Sequence, residues 1–111
     1  MPAGGYPEWR TMQEQTVHLS RGAGSGYVLP LGPVNLVWVI ARNGMVGCGA
    51  FDVAALEKFG YPAARIRAKT GSSIATIDDL LAGAVSGTNP SAERYGIVTG
   101  MSGREALDLL S

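Results

Sequence analysis

The chain has 111 residues, 46% of them hydrophobic and only 16% charged, with nine Lys and Arg against nine Asp and Glu. That length suits one domain with a modest core. The balanced charge argues against a general nucleic-acid footprint or a basic membrane-surface patch, and the sparse charge on a small surface favours self-association.

One cysteine excludes an intramolecular disulfide and a cysteine-rich zinc site. Met1 to Pro7 lacks the charged and apolar regions of a signal peptide. No apolar run approaches the roughly 18 residues of a membrane helix. The expectation is a cytoplasmic protein with no membrane or nucleic-acid partner.

Residues 1–12, rich in Gly and Pro, read as a flexible arm that Trp9 tethers to the body or to a neighbouring subunit, and 13–111 as one compact domain. Thr16 to Leu19 alternates and predicts a strand; Ser20 to Gly26 predicts a Gly/Ser loop; Tyr27 to Leu29 predicts a short strand that Pro30 and Pro33 confine to an edge or bend. Val34 to Ala41 is apolar and β-branched, as in a central strand buried on both faces.

Asn43-Gly44 is a strong hairpin signal, implying a type I′ turn with positive φ at both residues. That turn sets Arg42 against Met45, Ile40 against Gly47, Val39 against Cys48 and Trp38 against Gly49. Large side chains then cover bare glycines on one face, while Cys48 lies on the other with Val37 and Val39.

Asp52 predicts a helix N-cap, with Phe51 stapled onto Leu56, a buried stripe of Ala55, Leu56 and Phe59, and Gly60 at the end. Arg65, Arg67 and Lys69 alternate with Ile66 and Ala68 as in a strand, which Gly71-Ser72-Ser73 breaks. Thr76 to Asp79 is a capping box for a short helix ending at Gly83, with Ile77, Leu80 and Leu81 on one face. Asn89-Pro90 starts another helix, Ile97 to Thr99 predicts a last strand, and Ser102 to Glu105 caps a final helix burying Ala106, Leu107 and Leu110.

Four features occur together: Asn35 in a strand, Gly47 to Asp52, Thr76 to Leu81, and Gly96 to Leu107. In order and spacing they resemble the YunC-like family, small bacterial and archaeal domains of unknown function. The likeness runs over roughly residues 14–110. It is most specific in Gly96 to Leu107 and loosest from Arg65 to Ala75, where this chain is longer. It implies a compact, oligomeric α/β domain and no activity.

Cys48 is the first candidate site residue. The helix start at Asp52 and a basic strand would favour a thiolate, and the flanking glycines would admit a substrate; the competing reading is a small buried hydrophobe. The turn Gly100 to Arg104 is the second. Ser102, Gly103 and Arg104 would bind an anion at a helix N-terminus, unless Ser102 and Glu105 satisfy the free donors as a capping box. Arg65, Arg67 and Lys69 form either a solvated edge or a patch for an anionic ligand. His18 points outward with no second ligand spaced for a metal, and Asp78 and Asp79 suit a helix first turn. No metal or cofactor is expected.

The fold predicted is α/β (α+β) in two layers, a mixed or antiparallel sheet centred on strand 34–41 with several short helices. The function favoured is a homo-oligomeric binding or assembly module for a small anionic metabolite. The alternative is a thiol-dependent enzyme or redox protein using Cys48, with Asn35 or Asp52 orienting groups.

Overall fold

The computed structural model describes residues 11–71 and 73–111. Most of the expected arm, Trp9 included, and Ser72 of the expected break therefore lie outside the described residues. The described residues begin with a long hairpin of β1 (Gln13–Leu19) and β2 (Gly22–Pro30), joined at Ser20-Arg21. The expected Gly/Ser loop is thus mostly strand, and β2 is internal, paired with β1 on one side and β3 (Asn35–Ile40) on the other. The prolines act only at its end, where Pro30 is the last residue and pairs with Asn35.

Gly24 and Gly26 of β2 serve close approach rather than flexibility. A Cβ on Gly26 would lie 2.7 Å from Ile77 Cδ1, and one on Gly24 2.9 Å from the Ile40 carbonyl oxygen.

β3 runs antiparallel to β4 (Met45–Gly47), pairing Trp38 with Gly47, Val39 with Val46 and Ile40 with Met45. This corrects the expected type I′ turn: the connection is Ala41 to Gly44, closed by Ala41 N–H donating to the Gly44 carbonyl at 2.8 Å. Neither Asn43 nor Gly44 has positive φ. Two long-range contacts decide it. Asn43 donates through its backbone N–H (2.9 Å) and Nδ2 (3.1 Å) to the Leu110 carbonyl, and a Cβ on Gly44 would collide with the Pro62 carbonyl. The register moves by two residues, so every side chain keeps its expected face. Gly47 lies beside Trp38, while Gly49 lies beyond the strand, exposed.

Asp52 caps α1 (Val53–Glu57), its Oδ1 accepting from Ala55 N–H at 3.1 Å. Gly60 ends the turn with φ +66°, as a C-terminal glycine should. The expected stripe is corrected: Val53 is its buried residue, whereas Phe59 lies past the helix end, 82% exposed. α1 carries the chain to β5 (Ala63–Arg67), parallel to β4. The strand stops at Arg67, so Lys69 is not on it.

Both capping boxes form, Thr76/Asp79 for α2 (Ile77–Ala82) and Ser102/Glu105 for α4 (Gly103–Leu110), and Asn89 caps the short α3 (Pro90–Glu93). Between α2 and α3 lies β6 (Ala84–Thr88), antiparallel to β5. The expected strand at Ile97 to Thr99 is loop; instead Gly100 and Met101 bond to Val85, and Ser102 bridges Ala84.

The result is one mixed six-stranded sheet in sequence order with several short helices, the α+β architecture expected. On the inner face, Val17, Val28, Val37, Val39, Val46, Ile66 and Val85 pack with Leu80, Leu107 and Leu110 of α2 and α4, all buried. On the outer face, Met45, Val53 and Ala63 form a smaller cluster with Trp38, Phe51, Leu56 and Tyr61.

Candidate functional site

At one corner of the inner face the packing is incomplete. A cavity of about 350 Å³ opens there, bordered by Asn35, Cys48, Arg67, Ser73, Ile74 and Ser86 among others. Each side chain reaches it through a local feature of the backbone.

Asn35 is the first residue of β3, and its Nδ2 donates to the Ala75 carbonyl at 2.9 Å. Ala75 is held in turn by the α2 capping box, since Asp79 Oδ2 accepts from both Ala75 and Thr76 N–H at 3.1 Å. Those bonds, the Ala75 one foremost, hold the Asp79 carboxyl below the usual carboxylate range. Asn35 is therefore fixed by a chain of hydrogen bonds.

Cys48 directly follows β4; its N–H donates to the Val37 carbonyl at 3.0 Å, and its carbonyl accepts from Phe51 N–H at 3.2 Å. The residue is only 7% exposed and belongs to the inner core while lining the cavity. Trp38 belongs to the outer cluster, so ring and sulfur sit on opposite sides of the sheet.

Ser86 comes from a β-bulge. Arg65 pairs with Gly87 and Ile66 with Val85, leaving Ser86 unpaired in the ladder, its hydroxyl donating to the Arg65 carbonyl at 3.3 Å. Arg67 ends β5, exposed, and its side chain has no hydrogen-bond or ion-pair partner among the described residues. It is also the one charged group among the described residues lining the cavity.

The structure thus brings together Asn35, Cys48 and Arg67, and it separates the other candidates from them. Arg65 lies across the neighbouring strand: a Cβ on its partner Gly87 would lie 2.7 Å from the guanidinium Nη2. Asp52 is engaged as the α1 cap. Ser102 and Glu105 satisfy each other's backbone N–H at 3.0 and 2.9 Å, and the bond from Ser102 N–H keeps the Glu105 carboxyl low. Gly103 is buried against Leu80, and Arg104 Nη1 donates to the His18 carbonyl at 3.0 Å, stapling α4 to β1.

Sequence reasoning missed Ser73 and Ser86. Val85 and Thr88 beside Gly87 were a faint strand signal; the bulge that presents Ser86 had none. Among the described residues no group of three or more His, Cys, Asp or Glu is placed to hold a metal, and no described helix is long and apolar enough to cross a membrane.

These features define a small mixed-sheet α+β domain with a cavity at its sheet corner. Residues 47–110 match the model of a domain of unknown function, DUF1805, and the chain belongs to that family. The uncharacterized protein YunC of Bacillus subtilis is 40% identical over 73 residues, 66% of this chain and 71% of that protein. A crystal structure of a protein of unknown function from Thermoplasma acidophilum shares the fold, with a TM-score of 0.81 at 24% identity over 96% of this chain and 100% of that one.

Proposed function

We propose that the protein is a homo-oligomeric binding module whose ligand is a small anionic metabolite seated in the Asn35–Cys48–Arg67 cavity. One observation carries this reading: Arg67 is an unpaired cation beside a cavity whose described lining is otherwise apolar or neutral. A guanidinium with free donors gives a carboxylate or phosphate its charge-assisted hydrogen bonds. The second Nδ2 hydrogen of Asn35 and the Ser73 hydroxyl supply further donors, and Ile66, Ile74 and Cys48 supply an apolar floor, the usual make-up of a small-molecule site.

Self-association is supported by the outer face of β1, β2 and β3, which carries the half-buried Tyr27 and Trp38 and the 41%-exposed Ile40. A thiol-dependent activity would use the same cavity. It needs a base for the thiol proton, and the described lining residues include no His, Asp or Glu.

Calorimetric titration with phosphate, sulfate and small carboxylates tests the reading. The protein should bind at least one of them, and Arg67→Gln should weaken that binding roughly 10-fold or more, the range of a hydrogen bond to a charged group. Absence of binding to all three classes would remove the anion reading. Light scattering after size exclusion tests the assembly, and a monomer at micromolar concentration would contradict it.

A further inference from the structure

A second cavity of about 350 Å³ lies against the first, with Asn35 in the lining of both. Its polar border is Gln13 and Gln15 of β1, Asn35, and Thr76 and Asp78 at the start of α2. The two cavities differ in charge. Arg67 is the one charge among the described residues lining the first, and Asp78 holds that place in the second.

The neighbouring acids have other duties. Asp79 is consumed by the capping box, whereas Asp78 is exposed and its carboxylate has no hydrogen-bond or ion-pair partner among the described residues. The carboxamides of Gln13 and Gln15, which make no side-chain bond among the described residues, offer both donors and acceptors. Asn35, whose Nδ2 donates to the Ala75 carbonyl, is the one described polar side chain that lines both chambers. With one Nδ2 hydrogen on that bond, the Asn35 carboxamide keeps a second donor for the first chamber and its oxygen as an acceptor for a group passing it.

The geometry points to an elongated, zwitterionic ligand, its carboxylate or phosphate at Arg67 and an ammonium group at Asp78 and the two glutamines, with its midsection against Asn35. This rests on the anion-binding reading above and deepens it, because an isolated anion would leave the second chamber empty and the Asp78 carboxylate, which also suits the first turn of α2, without a counter-charge. The ligand class is an ω-amino acid or an amine-bearing phosphate rather than a simple dicarboxylate, which Asp78 would repel.

The test is an NMR titration of the ¹⁵N-labelled full chain with hexanoate and octanoate against 6-aminohexanoate and 8-aminooctanoate. All four should shift the backbone amides of Gly49, Ala68 and Ser86 around Arg67. Only the amino compounds should shift the side-chain NH₂ signals of Gln13 and Gln15, and at least one should bind roughly threefold or more tightly than its amine-free counterpart. Asp78→Asn should abolish that difference; if this variant does not fold, the glutamine signals of the wild-type chain decide alone. Carboxylate binding with no gain from the amine, and with silent glutamine signals, would overturn the zwitterion and leave the anion site standing. No shift with any of the four would overturn both.

Discussion

The two faces of the sheet solve the same packing problem differently. The inner face is a buried, largely aliphatic layer under α2 and α4. The outer face is a row running across the strands, from Glu14 and Tyr27 through Trp38 and Gly47 to Arg65 and Gly87. There the glycines are covered by flat groups. The Phe51 ring stands where a Cβ of Gly47 would be, and the Arg65 guanidinium lies against Gly87.

Tyr27 stacks on Trp38 with ring centres 5.2 Å apart, Phe51 tilts against Trp38 at 5.8 Å, and the Tyr27 hydroxyl donates to Glu14 at 3.2 Å. The inner face holds the fold by burial. The outer face is held by aromatic contacts and keeps half-exposed surface. The cavity sits where the inner layer runs out.

The largest effects should come from the inner side. Gly103→Ala would press a methyl group into the backbone carbonyl of Leu80, which cannot yield, and should cost about 3 kcal/mol or more in urea unfolding. Leu107→Ala, at a fully buried site, should cost about 2–5 kcal/mol. Trp38→Ala should cost less, about 1–2 kcal/mol, because its ring is only half-buried. Equal losses for Leu107 and Trp38 would erase the distinction between the faces.

Gly47→Ala sharpens the comparison, since it acts through one ring. It should cost about 1–3 kcal/mol and displace Phe51 from Trp38, visible as a changed near-ultraviolet circular dichroism signal. Thr76→Ala should cost about 1 kcal/mol, as the loss of a cap does, and should loosen the Ala75 carbonyl that holds Asn35. Phe59→Ala, at the exposed end past α1, should stay within about 0.5 kcal/mol of wild type.

The pH dependence follows from the capping boxes. Asp79 and Glu105 have lowered carboxyl pKa values in the folded chain, caused first by the N–H groups of Ala75 and Ser102 respectively. Their contribution is complete above the ordinary carboxylate range, near about pH 4, and is lost as pH falls through the lower folded values. Urea midpoints measured downward from about pH 5 should therefore decline. The decline should be shallower in an Asp79→Asn/Glu105→Gln double variant.

Legibility in the sequence followed the range of the interaction. The caps at Asp52, Thr76, Asn89 and Ser102 close within a few residues, so spacing alone revealed them. The turn at Asn43-Gly44 did not follow its local preference because Asn43 serves Leu110 at the far end of the chain. Gly24 and Gly26 read as loop because the groups that need their space, on Ile40 and Ile77, come from other elements of the chain. For the candidate site, Asn35, Cys48 and Arg67 were each visible, but their union depends on sheet order and on a bulge, and neither leaves a periodic trace. Arg104 looked available until β1 was placed beside α4.

The most direct measurement uses the sole cysteine as a reporter of the cavity's charge. The native protein is alkylated with anionic iodoacetate and with neutral iodoacetamide, and the two rates at Cys48 are followed by mass spectrometry. If Arg67 makes this cavity an anion site, the ratio of iodoacetate to iodoacetamide rates should exceed that of the urea-unfolded chain several-fold and return to it in Arg67→Gln. The same ratio in all three samples would contradict the account.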